Sequence, residues 1–566
     1  MRAKHLDTRS HRDGALAIII DADTQRPLPF IVNLQSGQLQ AQAPFPAPPF
    51  AVEAACLYRD AQQLDQLFLI GKEGHAEQWI MQGGARRLVR TVALPAQVKH
   101  CRSDDATHTL FVSEADMGVW AYRADAEGPM ARAPVVLRQP YGPLRAGAGA
   151  IQIVKGGIAV LDQAGQRLHL MHAKKGQWLQ RPALALGKHG GSEALALRRT
   201  SGGNELLFRD EQNKQWKSLA MQPGASTDLT AATAPSAAVT IIEPSAQTDP
   251  MTRLGDAADD PAIWIHPFDA TRSRILGTNK KQGLLVYDLQ GKQQQLLESG
   301  RLNNVDVRQN VRFNDAANAA QPAALFDLAM ATQRDDNSLV LYAISSEGEV
   351  SEAARFATGM DKIYGFCLYQ PRSGGLEAFV NDKDGTYHQY RITRRDQAFS
   401  STLVRQFKLA SQPEGCVADD KHDRLFVGEE KRGVWVTSAK ADHPAELQLI
   451  LPVGAQLTAD TEGMAIYFGR EADYLIVSSQ GDHSYVVMDA QAPNRYRGKF
   501  RIGYNMAAGI DGTSETDGLD VTSAKLGSLY QKGMLVVQDG YKRLPDGAQN
   551  FKYVSWEAIE RALQLR

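Results

Sequence analysis

Short β-like runs, each closed off within a few residues by Gly, Asp, Asn or Pro, recur along almost the whole chain. Gln66–Ile70, Thr109–Val112, Gly157–Leu161, Ser338–Ile344, Arg424–Val427, Tyr474–Val477 and Met534–Val537 are examples. Helical periodicity is nearly absent until Trp556–Leu565. Many short strands separated by turn signals restrict a chain to a sandwich, a barrel or a propeller. With 566 residues, 43% of them hydrophobic, the chain exceeds what one core holds, since single cores stop growing near ~250–300 residues. The segment Gln222–Ala238 is rich in Ala, Thr, Ser and Pro, with Leu229 its one large apolar residue, and reads as a linker. The expected division is a β domain over 1–222, a linker over 223–239 and a second β domain over 240–566. The second part is long for a sandwich and suits a propeller whose blades are four-stranded sheets.

The chain also repeats itself. Ala96–Tyr122 parallels Ser411–Thr437 without a gap, aligning Cys101 with Cys416, Asp104-Asp105 with Asp419-Asp420, Glu114 with Glu429 and Trp120 with Trp435. Ala54–Gly74 parallels Gly365–Gly385, aligning Cys56 with Cys367 and Lys72 with Lys383. The first domain therefore reads as a diverged, shorter copy of the second. The four cysteines fall at equivalent places on neighbouring blades, which predicts Cys56–Cys101 and Cys367–Cys416 disulfides and an oxidising compartment. Buried free thiols are the alternative.

Lys and Arg number 63 and Asp and Glu 64, a net charge of −1, which argues against a nucleic-acid partner. No stretch approaches the ~20 apolar residues of a membrane span. Met1–Asp13 is polar and lacks the apolar core of a signal peptide. Function must then rest on local clusters. Asp259-Asp260, Glu414, Glu429-Glu430, Asp460, Glu462, Asp511 and Asp517 lie beside glycine or at strand ends, and hard cations such as calcium take six to eight oxygen ligands. None of these segments has EF-hand spacing. Lys280-Lys281, Arg334 and Lys383 are interleaved with them, as a polyanionic substrate bridged to calcium would require.

The segments DDPAIWIHP (Asp259–Pro267), GTNKKQGLLVYDLQGK (Gly277–Lys292), GRLNNVDVR (Gly300–Arg308), YGF (Tyr364–Phe366), PEG (Pro413–Gly415), SSQGDHSY (Ser478–Tyr485) and DGTSETDGLD (Asp511–Asp520) occur in that order. Together they closely resemble the β-propeller phytases over nearly all of Thr240–Trp556. The resemblance implies an all-β fold: a six-bladed propeller, preceded here by a shorter, incomplete propeller-like domain. It implies several Ca2+ ions, with Asp259, Asp260, Glu414, Glu430, Asp460, Glu462, Gln480, Asp511 and Asp517 as ligands or close supports. Lys280, Lys281, Arg334, Lys383 and Tyr364 are implied to bind substrate phosphates. Lys280, Arg334, Tyr364, Lys383 and Glu414 would carry catalysis, while Asn304 and Asp306 are implied site residues that could equally fix a turn. The implied activity is release of phosphate from phytate or calcium-phytate by a 3-phytase-type monoesterase using metal-bridged water. A monomer, secreted or periplasmic, is expected. His266 and His483 read as structural.

The first domain departs from this pattern. It has no DDPAIW or TNKK segment, carries Lys99 where the second has Glu414 and Ala115 where it has Glu430, and reads LRAGAGA (Leu144–Ala150) against LTADTEG. The expectation is a catalytically dead copy that retains basic groups such as Lys72 and adds weak substrate binding, or one that only stabilises or docks. Two other readings of the second domain are a calcium-dependent binder of anions and a propeller lactonase. The lactonase would not need the Lys and Arg set.

Overall fold

The computed structural model describes residues 2–162, 166–186, 194–200, 203–210, 213–220, 239–313 and 324–566. The linker read over 223–239 lies, apart from Val239, outside the described residues. The chain forms two compact units, Met1–Ala238 and Val239–Arg566.

In the second unit, middle strands such as Leu376–Asp382, Asp473–Ser479 and Met534–Asp539 are buried on both faces, as their unbroken apolar runs require. Outer strands such as Gln293–Leu297 and Ala398–Lys408 are largely solvated. This gradient arises when sheets stack face to face around an axis. The described residues form six sheets in this unit. Their inner strands are Ala258–Trp264, Leu302–Arg312, Ile363–Tyr369, Pro413–Asp419, Thr461–Phe468 and Leu519–Thr522. Each inner strand packs on the next and the sixth packs on the first, so the ring closes as a six-bladed propeller. The apolar core is divided among the spaces between blades. One such layer joins Trp264, Leu276 and Leu284 to Leu302, Ala331 and Tyr342.

Both ends of the unit are sewn into the ring. Ala246–Gln247 pairs antiparallel with Asn550–Ser555, completing the sixth blade, and Thr240–Ile242 pairs parallel with Tyr496–Ile502 of the fifth. The one α-helix among the described residues, Trp556–Leu563, stacks Trp556 on Tyr467 with ring centroids 3.7 Å apart. No helix among the described residues is long and apolar enough to cross a membrane.

Among the described residues the first unit has five sheets, with first strands Ala3–His11, Val52–Arg59, Val98–Asp104, Ala148–Val154 and Leu195–Thr200. An ion-pair brace fixes their correspondence to the second unit. Arg308 bonds Asp306, Asp420 and the Leu368 carbonyl, while the Leu368 amide donates to Asp306. Arg9 makes the same set with Asp7, Asp105 and Leu57. Ala3–His11 is therefore the counterpart of the second blade. The blade carrying DDPAIWIHP and TNKK has no counterpart among the described residues of the first unit. Cys56–Cys101 and Cys367–Cys416 are both disulfide-bonded, each stapling the inner strands of neighbouring sheets.

Candidate active site

Five of the six inner strands of the second unit carry one extra residue relative to their partner strand, at the same level. The register slips between Ala258 and Pro261, Leu302 and Val305, Ile363 and Phe366, Pro413 and Cys416, and Thr461 and Met464. Such bulges re-aim side chains out of the alternating pattern. Here they bring forward the doublets Asp259-Asp260, Asn303-Asn304, Tyr364-Gly365, Glu414-Gly415 and Glu462-Gly463. Asp517-Gly518 supplies the sixth doublet just before its strand. The second member of a doublet lies against the next blade. A Cβ on Gly415 would stand 2.4 Å from the Glu462 carbonyl oxygen, and one on Gly518 would stand 2.0 Å from Asp260 Oδ1. The ring is thus tight enough that only glycine fits there. Second-strand polar side chains hold the bulged backbone: Thr278 bonds Asp260, Thr332 bonds Asn304 and Tyr364, and Asn381 bonds Gly365 and Glu414.

The first members of the doublets make one pole acidic. Glu414, Glu430 and Glu462 are buried and each offers an oxygen within 4.8 Å of the others. Neither oxygen of Asp259 has a hydrogen-bond partner, nor does Glu462 Oε2. Burial, then the neighbouring carboxylates, holds protons on this cluster into the neutral range. Asp259 is pushed up to about 8, Glu430 to about 7 and Asp517 to about 6, and Asp260 and Glu462 are driven well above the usual carboxylate range. Three buried glutamates offering convergent oxygens, with donorless oxygens on Glu462 and Asp259, fit a hard divalent cation. Asp260 is spoken for on one side, Oδ2 accepting from Asn304 and the Val305 amide. Gln480 donates to Asp517, and Asp460 pairs with Lys431.

Lys280 belongs to this acidic pole. Its Nζ lies 2.8 Å from Asp517, 2.9 Å from Asp256 and 3.4 Å from Asp259. Burial disfavours its charge, but these carboxylates outweigh burial and hold it protonated. The opposite pole is cationic. Lys383 Nζ sits 3.8 Å from the centre of the Tyr364 ring, with the Arg334 guanidinium 5.7 Å from the same ring. Burial first, then Glu414, Glu462 and Asp259, raises the Tyr364 hydroxyl far above its ordinary value, so it stays a neutral donor. Behind the ring the channel encloses a cavity of about 330 Å³ lined by residues from Asp260 and Gly415 to Ile265 and Ser523.

Three of the expected site residues are not brought into this arrangement. Asp511 is bonded by the Arg543 amide and by buried Lys552, whose ammonium also bonds Asp539, Gln247 and Asn550. That internal ammonium supplies the positive charge between Asp511 and Asp539. Lys281 turns away to the Leu254 carbonyl. Asp306 belongs to the Arg308 brace. His266 and His483 each accept backbone N–H bonds through Nδ1, as structural histidines do. Sequence reasoning missed Asn303, Asp256, Gln412, which donates to Glu430, and Lys431. Asn303 was open to discovery, because NN stands in the second blade where DD, YG, EG, EG and DG stand in the others. Nothing local marks the other three.

In the first unit, bulges recur at the corresponding strands but carry His5, Glu53, Lys99 and Gly149. Lys99 pairs with Glu53 at 3.4 Å.

Residues 216–565 match the Phytase family. A 3-phytase of Bacillus subtilis (strain 168) is 39% identical over 331 residues, covering 56% of this chain and 84% of the relative. Closed ring, acidic and cationic poles and family match agree: the chain belongs to the β-propeller phytases and is a phytase.

Proposed function

We propose that the second unit hydrolyses phosphate monoesters of phytate in a calcium-dependent reaction, as a 3-phytase. The observation that carries this is the ring of bulges, which sets a buried carboxylate cluster opposite Arg334 and Lys383, two cations without an ion pair among the described residues, across one channel mouth. Asp259, Asp260, Glu414, Glu430, Glu462 and Asp517, with Asp460 and Gln480 in support, would hold calcium, which would supply a polarised water and positive charge for hydrolysis.

Arg334 and Lys383 bind phosphate oxygens, and Tyr364 carries both cations on its face while offering a hydroxyl donor. Lys280 works against burial at Asp259 and Asp517, favouring their ionised forms for cation binding. A second phosphate held at the mouth fixes the ester in position for in-line attack. The cationic pole favours a phosphate ester over a lactone, which has no charge for Arg334 and Lys383 to meet. Two disulfides fit a secreted or periplasmic protein. The first unit, with no carboxylate cluster at its bulges, contributes no catalysis and adds weak binding of the polyanion through basic groups such as Lys72 and Lys99.

The test is phosphate release from phytate by the full chain, before and after chelation and with calcium restored. Loss of activity on chelation and recovery with calcium is expected. Full activity in excess chelator would sink the metal reading.

A further inference from the structure

Asn303 holds the second-blade place in the ring, and four of the other five places carry carboxylates: Asp259, Glu414, Glu462 and Asp517. The side chain is completely buried and sits between the two poles. Its Oδ1 accepts from Arg334 Nη1 at 3.1 Å. Its Nδ2 donates to Asn304 Oδ1 at 2.9 Å and to Glu414 Oε1 at 3.3 Å. An amide can serve both neighbours at once, offering an acceptor to the cation and donors to the acid.

The charge pattern gives this arrangement its meaning. Lys280, on the acidic side, is tied to three carboxylates. Arg334 and Lys383 have no ion pair among the described residues. A carboxylate at position 303 would pair with Arg334 and cancel the charge that an incoming phosphate must find. An apolar residue would leave the guanidinium without its anchor and take a donor from Glu414. We infer that Asn303 is a positioning residue that aims Arg334 at the channel mouth while leaving it unneutralised, and so sets the preference for a doubly charged phosphate ester. The inference rests on the proposed role of Arg334 as a phosphate contact.

Asn303→Asp changes the charge at nearly constant shape. In the full chain at saturating calcium it is expected to raise KM for phytate about tenfold or more, with kcat changed far less, because a charge-assisted pair must be broken to bind substrate. Asn303→Ser, which loses the anchor without adding charge, is expected to raise KM by a smaller factor. It carries the test should the Asp variant fail to fold. In an Arg334→Gln background neither change should move KM further. A KM within twofold of wild type for a folded Asn303→Asp protein overturns the inference, as does an undiminished effect in the Arg334→Gln background. If Arg334→Gln itself leaves KM unchanged, the phosphate-contact role fails and the inference falls with it. If Arg334→Gln raises KM but the Asn303 variants do not, only the inference falls.

Discussion

A single carboxylate at a doublet position decides what the ring can hold. Glu414 touches Asn303 through its side chain and Asn381 through its carbonyl, and its oxygens converge with those of Glu430 and Glu462. Glu414→Gln keeps the shape and removes the charge. It is expected to lower kcat/KM by on the order of 100-fold and to weaken calcium activation in a titration of rate against free calcium. Unchanged calcium activation would remove Glu414 from the ligand set. Lys552→Met tests the opposite case. It strands Asp511 and Asp539 without a cation, and an unpaired buried charge typically costs about 3–5 kcal/mol, read as a lowered denaturation midpoint. At this scale the carboxylates that the ring brings together were legible in the sequence, because each stands in a short motif. The ion pair of Asp511 was not legible, because its partner, Lys552, lies 41 positions away with no motif of its own.

Among elements, the recurring bulge does most to build the site. Its cost is tolerance at the glycine of each doublet. Gly415→Ala would drive a methyl group into the Glu462 carbonyl, and overpacking of this kind typically costs about 1–3 kcal/mol. The expected result is lower thermal stability together with lower activity; a variant as stable and active as wild type would mean the blades can shift apart. The Cys367–Cys416 staple acts on the same pair of strands. Its removal by a double Cys→Ser change should lower stability by about 2–4 kcal/mol in a denaturant titration. Strand identity and the cysteine pairing were legible from punctuation and from the duplication. The bulges were not: an extra residue in one strand shows only against its partner, and single-chain periodicity carries no record of register.

For the molecule as a whole, every ring residue lies in the second unit, so a chain of residues 239–566 should retain the kcat of the full chain at saturating phytate. The proposed contribution of the first unit should appear as a higher KM in the truncated chain; an unchanged KM would remove its binding role. The first unit is also expected to show its own acid sensitivity. Burial, reinforced for each by a nearby lysine or arginine, lowers His5 and depresses His100 to about 4, below the ~6.5 of an unfolded histidine. Both are therefore neutral when folded. Their contribution is present above pH ~6.5 and is lost as pH falls from there toward 4. Melts of the first unit's transition from pH 7 to 4.5 should show this decline, and a His5→Gln, His100→Gln chain should show less of it. An equal decline in both would assign the effect elsewhere. The duplication and the missing DDPAIW and TNKK segments were readable from one chain, but the blade-by-blade correspondence among the described residues came from the Arg9 and Arg308 braces.

The strand Ala246–Gln247 has a consequence in time. Its partner strand lies about 300 positions downstream, with Thr248 bonded to Phe551 across a separation of 303 residues. On a ribosome the first thread of the sixth blade emerges early and waits, unpaired, through the making of every other blade. The propeller stays an open arc until Asn550–Ser555 has been made, and only then does it have a rim on which all six doublets face one another. A chain that stopped short of Asn550 would hold five blades in an unclosed ring.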